Sequence, residues 1–354
     1  MPSMIRNHIP WFVRTPRLAA AGLSCLAALL ICAVLSNAIP ARAGARAAMN
    51  GEDLRRMFDA GKYRQVQTAS QAALAVAPRD PALHYWLARS SFELGVYDTA
   101  VTSAEEACRL DPLKSDFEMW LGRAYGRKAE IESSFFLARK TKRAFEIAVK
   151  LDPSNIEARR NLEEYYTEAP WIVGGSKDKA RQQIDAITAL DAREGILALA
   201  DYYWKLDQID EARKEYESLI AQHPDNIKFY MEPLDFYMHQ RDSLGLARVL
   251  DAAHSVAAQD PRLVFYRAIS RIIGGMELGP AEIELKQFME EYPGRSDSVS
   301  RAEALEWLGK VYEKQGNWRA AAEQYQQAVQ LEPYKKRLRK DLERTQKELK
   351  KQAS

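Results

Sequence analysis

The chain repeats itself every 34 residues. Gly61 and Gly95, Tyr63 and Tyr97, Ala73 and Ala107, and Pro78 and Pro112 are each separated by that interval. Four residue types sharing one period mark a repeated supersecondary unit, and a unit this short cannot bury its own apolar face. It must stack on copies of itself. No strand-like alternation is long enough to compete, so the copies are expected to be helical.

The stretch 302–333 shows what one copy contains: AEALEWLGKVYEKQGNWRAAAEQYQQAVQLEP. Leu305, Leu308, Tyr312 and Trp318 mark an apolar face. Gly309, Ala321 and Ala328 are small residues where two helices would approach, with Tyr325 between the two alanines. Gly316 supplies a turn and Pro333 ends the unit. This pattern resembles the tetratricopeptide repeat, a 34-residue helix–turn–helix. The resemblance implies an all-α fold, a right-handed α-solenoid of about eight repeats. It also implies a binding role, with one face of each unit's first helix lining a concave groove.

The expected units are 47–80, 81–114, 115–155, 156–192, 193–226, 227–261, 262–296 and the stretch above. In the third, Pro153 falls 41 residues after Pro112, seven beyond the period. The fourth carries an insertion at 169–175, in which Gly174 and Gly175 read as a turn and Ser176 as a helix cap. A phosphate loop is a poor fit, because the G-x4-G-K-[ST] spacing is missing. The sixth and seventh units are degenerate but keep Leu263, Tyr266, Ile269 and Ile273 at helical spacing, with Pro261 and Pro293 as expected unit ends. After Pro333 the segment 334–354 reads as a basic capping helix, with Leu338, Leu342, Thr345 and Leu349 forming a narrow stripe.

Residues 1–43 stand apart. Arg6, Arg14 and Arg17 precede an uncharged stretch from Leu18 to Ile39, followed by Ala41-Arg42-Ala43. This reads as a secretory signal or an uncleaved anchor, which places the repeats in the periplasm of a bacterial envelope. Cys25 and Cys32 lie in that segment, so Cys108 alone would remain in a mature chain, as a buried thiol. Between 44 and 333 there are 38 basic and 46 acidic residues. A body of that sign argues against nucleic-acid binding.

Trp-Leu-x-basic occurs at Trp86–Arg89, Trp120–Arg123 and Trp307–Lys310. The leucine is a core position, and the basic residue lies about 200° further round the helix, so it should leave the core. By the family resemblance, Tyr85, Arg89, Phe92, Arg123, Arg127 and Arg160 share the concave surface as a partner-binding groove. Cations interleaved with aromatics suit an acidic, extended or helical peptide. Local pairing, such as Arg127 with Glu130, is the competing use of these charges. Reversing Arg89 and Arg123 together is expected to abolish binding without disturbing the fold. Glu105-Glu106 and Glu163-Glu164 read as solvated pairs. His84, His223, His239 and His254 are scattered, and no hydrolase or metal motif is visible. No catalysis, cofactor or metal is expected. The expected function is a protein-binding scaffold in the envelope, or alternatively a self-assembling structural module. Contact with a membrane is expected only through the N-terminal segment.

Overall fold

The computed structural model describes residues 51–275, 277–292 and 299–353. The signal or anchor segment and Pro293 lie outside the described residues. Within them the chain forms seventeen α-helices, one 3-10 turn and no strand. Sixteen of the helices make eight antiparallel pairs. These are α1 (Gly51–Asp59) with α2 (Tyr63–Leu74), α3 (Pro81–Glu93) with α4 (Tyr97–Leu110), α5 (Ser115–Glu132) with α6 (Phe135–Leu151), and α7 (Ile156–Glu168) with α8 (Lys177–Leu190). Then follow α9 (Ala192–Lys205) with α10 (Ile209–Ala221), α11 (Lys228–His239) with α12 (Ser243–Ala257), α13 (Pro261–Ile273) with α14 (Leu278–Glu291), and α15 (Arg301–Lys314) with α16 (Trp318–Leu331). The helix α17 (Lys336–Ala353) closes the array. None of the described helices is long and apolar enough to cross a membrane.

Every helix packs on the next, and each odd-numbered helix from α1 to α15 also touches the next odd-numbered one. The first helices of the pairs therefore form one continuous inner wall. Small residues set how closely a pair can approach. A Cβ built on Gly122 of α5 would lie 2.4 Å from the ring of Phe145 on α6, and one on Gly309 of α15 would lie 2.8 Å from Tyr325 on α16. In each case the second helix sends a buried aromatic into the space that a side chain would occupy.

The irregular stretches of the sequence resolve differently from one another. The extra residues of the third unit form no loop. They lengthen the helices, to 18 and 17 residues in α5 and α6 against 13 and 14 in α3 and α4. In the fourth unit the insertion folds into a 3-10 turn at Trp171–Val173. The Tyr165 hydroxyl donates to the Val173 carbonyl at 2.9 Å, and the Ser176 amide donates to the Tyr166 carbonyl at 2.9 Å. Gly174 has φ +103°, whereas Gly175 is needed for space: a Cβ there would sit 1.7 Å from the Ala169 carbonyl oxygen. Ser176 caps α8 by accepting from the Lys179 amide.

Pro261 does not end a unit. It is the first residue of α13, where its missing N–H costs nothing, and Asp260 caps that helix from the preceding position. The stripe on α17 also differs from the expected one. Leu338, Asp341 and Thr345 are buried, and Leu342 and Leu349 are only half-buried. Asp341 can face inward because Arg344 pairs with it at 2.7 Å. Arg337 ties α17 to buried Glu306 of α15 at 2.6 Å.

Replacing Gly122 by Leu is expected to destabilise the protein by about 1–3 kcal/mol, because the ring of Phe145 occupies the space that the new side chain would take. Urea or thermal unfolding measures it, and an unchanged transition would refute the close approach of α5 and α6.

Candidate functional site

The inner wall encloses a channel of about 620 Å³. Helical spacing explains which side chains reach it. Arg123, Gly126, Arg127 and Glu130 of α5 recur at intervals of three and one, and so form one face. At intervals of three and four, Glu157, Arg160, Glu164 and Glu168 share a face of α7, Asp201 and Lys205 one of α9, and Glu232, Asp235 and His239 one of α11. Glu303 of α15 and Arg337 of α17 reach the same space from the far end of the array.

The far end also touches the near end. Between α16 and α17, the ring of Tyr334 lies 5.5 Å from the Arg127 guanidinium, and its hydroxyl interacts with that of Tyr97, the first residue of α4. The array thus curls until its last unit meets its second and third.

The six residues expected to form a groove divide into two sets. Phe92, Arg123, Arg127 and Arg160 line the channel. Tyr85 and Arg89 belong to an aromatic box beside it. The Arg89 guanidinium lies 4.2 Å from the Phe58 ring centre, 4.7 Å from Trp120, 4.8 Å from Trp86 and 5.3 Å from Tyr85, and it donates to the Tyr85 hydroxyl at 3.2 Å. Tyr85 stacks on Phe117 at 4.8 Å, and burial pushes its hydroxyl up to about 12. Phe92 is buried edge-on against Tyr97 and Trp120, so it supports the wall and offers little surface.

The channel arginines are already engaged. Arg123 pairs with Glu157 at 2.9 Å and donates to Asn161 at 3.0 Å. Arg127 pairs with Glu130 at 2.8 Å, which is the local use that helical spacing allows. Arg160 binds Glu232 of α11 at 2.8 Å, and this carboxylate outweighs burial and holds the guanidinium charged.

Sequence reading missed the acidic side of the site. Nine Asp or Glu and five Lys or Arg side chains line the channel, and even with buried Glu163 holding its proton the acids outnumber the bases, so it is an anionic surface and not the cationic one expected. The excess comes from α7 and α11, while Asp201 and Lys205 of α9 balance. Lys205 shows it most clearly: Asp201 lies at 2.7 Å, Glu164 at 3.2 Å and Glu168 at 3.7 Å. Burial opposes charge on Lys205, and these carboxylates overcome it. Continuing the first-helix register past the fourth unit is the signal that would have found Asp201, Lys205 and Glu232.

Glu163 is also not the solvated residue expected. It is 1% exposed, accepts from Thr167 at 2.7 Å, and its carboxyl is pushed well above 4.5 by burial, against the pull of Lys205. Among the described residues no three His, Cys, Asp or Glu side chains gather to hold a metal ion. Cys108 is buried, and its thiol is pushed far up by that burial.

Comparison with known proteins follows the same repeats. Family models described as tetratricopeptide repeat match residues 55–115, 193–233 and 302–335. No curated protein matches the chain. Among solved structures, a tetratricopeptide repeat protein from Parabacteroides merdae is similar at 16% identity, covering 74% of this chain and 97% of its own, with a TM-score of 0.48. The Cut9–Hcn1 hetero-tetramer of APC/C gives 14% identity over 83% of this chain and 54% of that one, with a TM-score of 0.46. The thermophilic repeat protein TTC0263 from Thermus thermophilus gives 22% identity over 52% of this chain and 95% of its own, with a TM-score of 0.43.

Two outcomes follow. Arg89→Glu is expected to lower stability by about 2 kcal/mol or more, since it places an anion among aromatic faces that now hold a cation. Unfolding measurements test this, and a melting temperature equal to the wild type's would show Arg89 to be a free surface charge. For Glu163, a raised carboxyl means that the folded state binds its proton more tightly than the unfolded chain does. Its contribution is then greatest at low pH and falls as pH rises above 4.5. Glu163→Gln should therefore gain stability relative to wild type between about pH 5 and about pH 9. Parallel stability curves for the two proteins would contradict a buried, proton-binding Glu163.

Proposed function

This chain is a tetratricopeptide repeat protein, and from that premise we propose that it is a non-catalytic scaffold whose inner channel holds a basic segment of a partner protein. Repeats of this family serve in general as protein-interaction scaffolds. The observation that supports the finer reading is the channel's charge: nine acidic side chains against five cations, with every arginine there already paired across or along the wall. An acidic peptide would meet cations that are satisfied and carboxylates that repel it. A segment bearing Lys or Arg would instead find exposed carboxylates, Glu157 at 56% and Glu164 at 52%, on one face of α7. The basic and apolar order of residues 1–39 supports placing this scaffold in the bacterial envelope, exported or anchored.

The test is peptide binding measured by fluorescence anisotropy, with labelled lysine-rich and glutamate-rich peptides of equal length. The lysine-rich peptide should bind with a marked salt dependence, and Glu157→Lys combined with Glu164→Lys should weaken it about tenfold or more. Preference for the glutamate-rich peptide would overturn the assignment.

A further inference from the structure

Opposite in character to the channel is a patch on the outside of the third and fourth units. Four large apolar side chains stand in solvent there: Trp171 at 84% exposure, Phe136 at 68%, Ile172 at 50% and Phe135 at 41%. They come from two elements, the first turn of α6 and the 3-10 turn before α8, which touch each other. Arg139, one turn beyond Phe135 and Phe136, donates to the Ile172 carbonyl at 3.4 Å and so joins the two pairs. The Lys140 ammonium lies 5.3 Å from the centre of the Phe136 ring. Lys142 packs beside Gly174, at the end of the 3-10 turn. Lys177 opens α8 four residues after that turn ends.

Few carboxylates balance these cations. Glu105 meets Lys140 at 3.4 Å, and Asp178 is exposed next to Lys177 in sequence. Among the described residues no ion pair engages Arg139, Lys142 or Lys177. In the channel, by contrast, nearly every cation is paired. None of the four apolar residues lines the channel, so a surface occupied here leaves the inner wall free.

We propose that this patch is a docking surface for an anionic phospholipid bilayer. Trp and Phe side chains ringed by Lys and Arg have the composition of interfacial segments, in which aromatics settle at headgroup depth and cations meet acidic headgroups. Lysines can extend their ammonium groups toward the headgroups while their methylenes cover the apolar boundary. A protein partner fits less well, because lysine is depleted from protein–protein interfaces. The close turn at Gly174 and Gly175, with Ser176 capping α8, holds Trp171 and Ile172 outward on a rigid base, so the aromatic pair is presented without first having to be ordered.

The experiment uses the full chain with vesicles whose acyl chains are brominated, made either of phosphatidylcholine alone or of phosphatidylcholine with phosphatidylglycerol. The fluorescence difference between wild type and Trp171→Phe isolates Trp171 from the other tryptophans, including Trp11 of the N-terminal segment. Trp171 emission should be quenched on the anionic vesicles and much less on the neutral ones. The quenching should be lost in Arg139→Glu combined with Lys177→Glu, both at exposed positions, with helicity and melting temperature unchanged. Unquenched Trp171, equal quenching on both vesicles, or quenching that survives the charge reversal would each overturn the proposal. So would a wild-type dimer that Trp171→Ser makes monomeric, since a second copy would then cover the patch.

Discussion

Close approach between the two helices of a pair is the constraint on which the remainder rests. Where α5 meets α6, a glycine faces an aromatic ring at a distance that excludes even a methyl group, and the same arrangement recurs where α15 meets α16. Gly245 and Tyr237 repeat it within the sixth pair, across α11 and α12. Interiors packed this tightly do not deform continuously. The angle between the helices of a pair is therefore fixed, and each pair is a rigid unit that turns by a small rotation relative to the one before it. Accumulated over eight pairs, that rotation makes the inner wall concave and brings side chains from α5 and α11 into one space.

The fold was legible because it depends on apolar spacing and small residues, both of which survive in a single sequence. The period of 34, Gly309 with Tyr325, and the glycine turns locate most of the pairs. The exceptions are instructive. The seven residues by which the third unit exceeds the period carry no sign of where they go; they continue two helices, because no proline lies between Ser115 and Glu132 or between Phe135 and Leu151. Pro261 falls where a unit end is expected, but proline is equally suited to the first position of a helix, and Asp260 in front of it is the signal that distinguishes the two.

The site was less legible, for a physical reason. Which residues leave the core can be read from periodicity; which of them neutralise one another cannot, because the partners come from different units. Arg160 and Glu232 are 72 residues apart, and Arg123 meets Glu157 across α5 and α7. A row of arginines in sequence thus became a row of ion pairs in space, inside a lining whose net charge has the opposite sign. Arg89 illustrates the other failure. Its spacing correctly took it out of the leucine core, but four aromatic rings from three helices receive it on the far side.

In an open array each unit feels only its neighbours, so stability is a sum of local terms and melting can begin at an end and travel inward. The meeting of Tyr334 with Tyr97 and Arg127 changes this connectivity. It adds an interaction between residues more than 200 positions apart, and its loss would release both extremities at once. The protein then behaves as a clasped bracelet: the circumference of the channel is set by the clasp as well as by the links. Anything that opens the clasp would widen the channel everywhere by a little, because each of the intervening joints would relax by a fraction of the total.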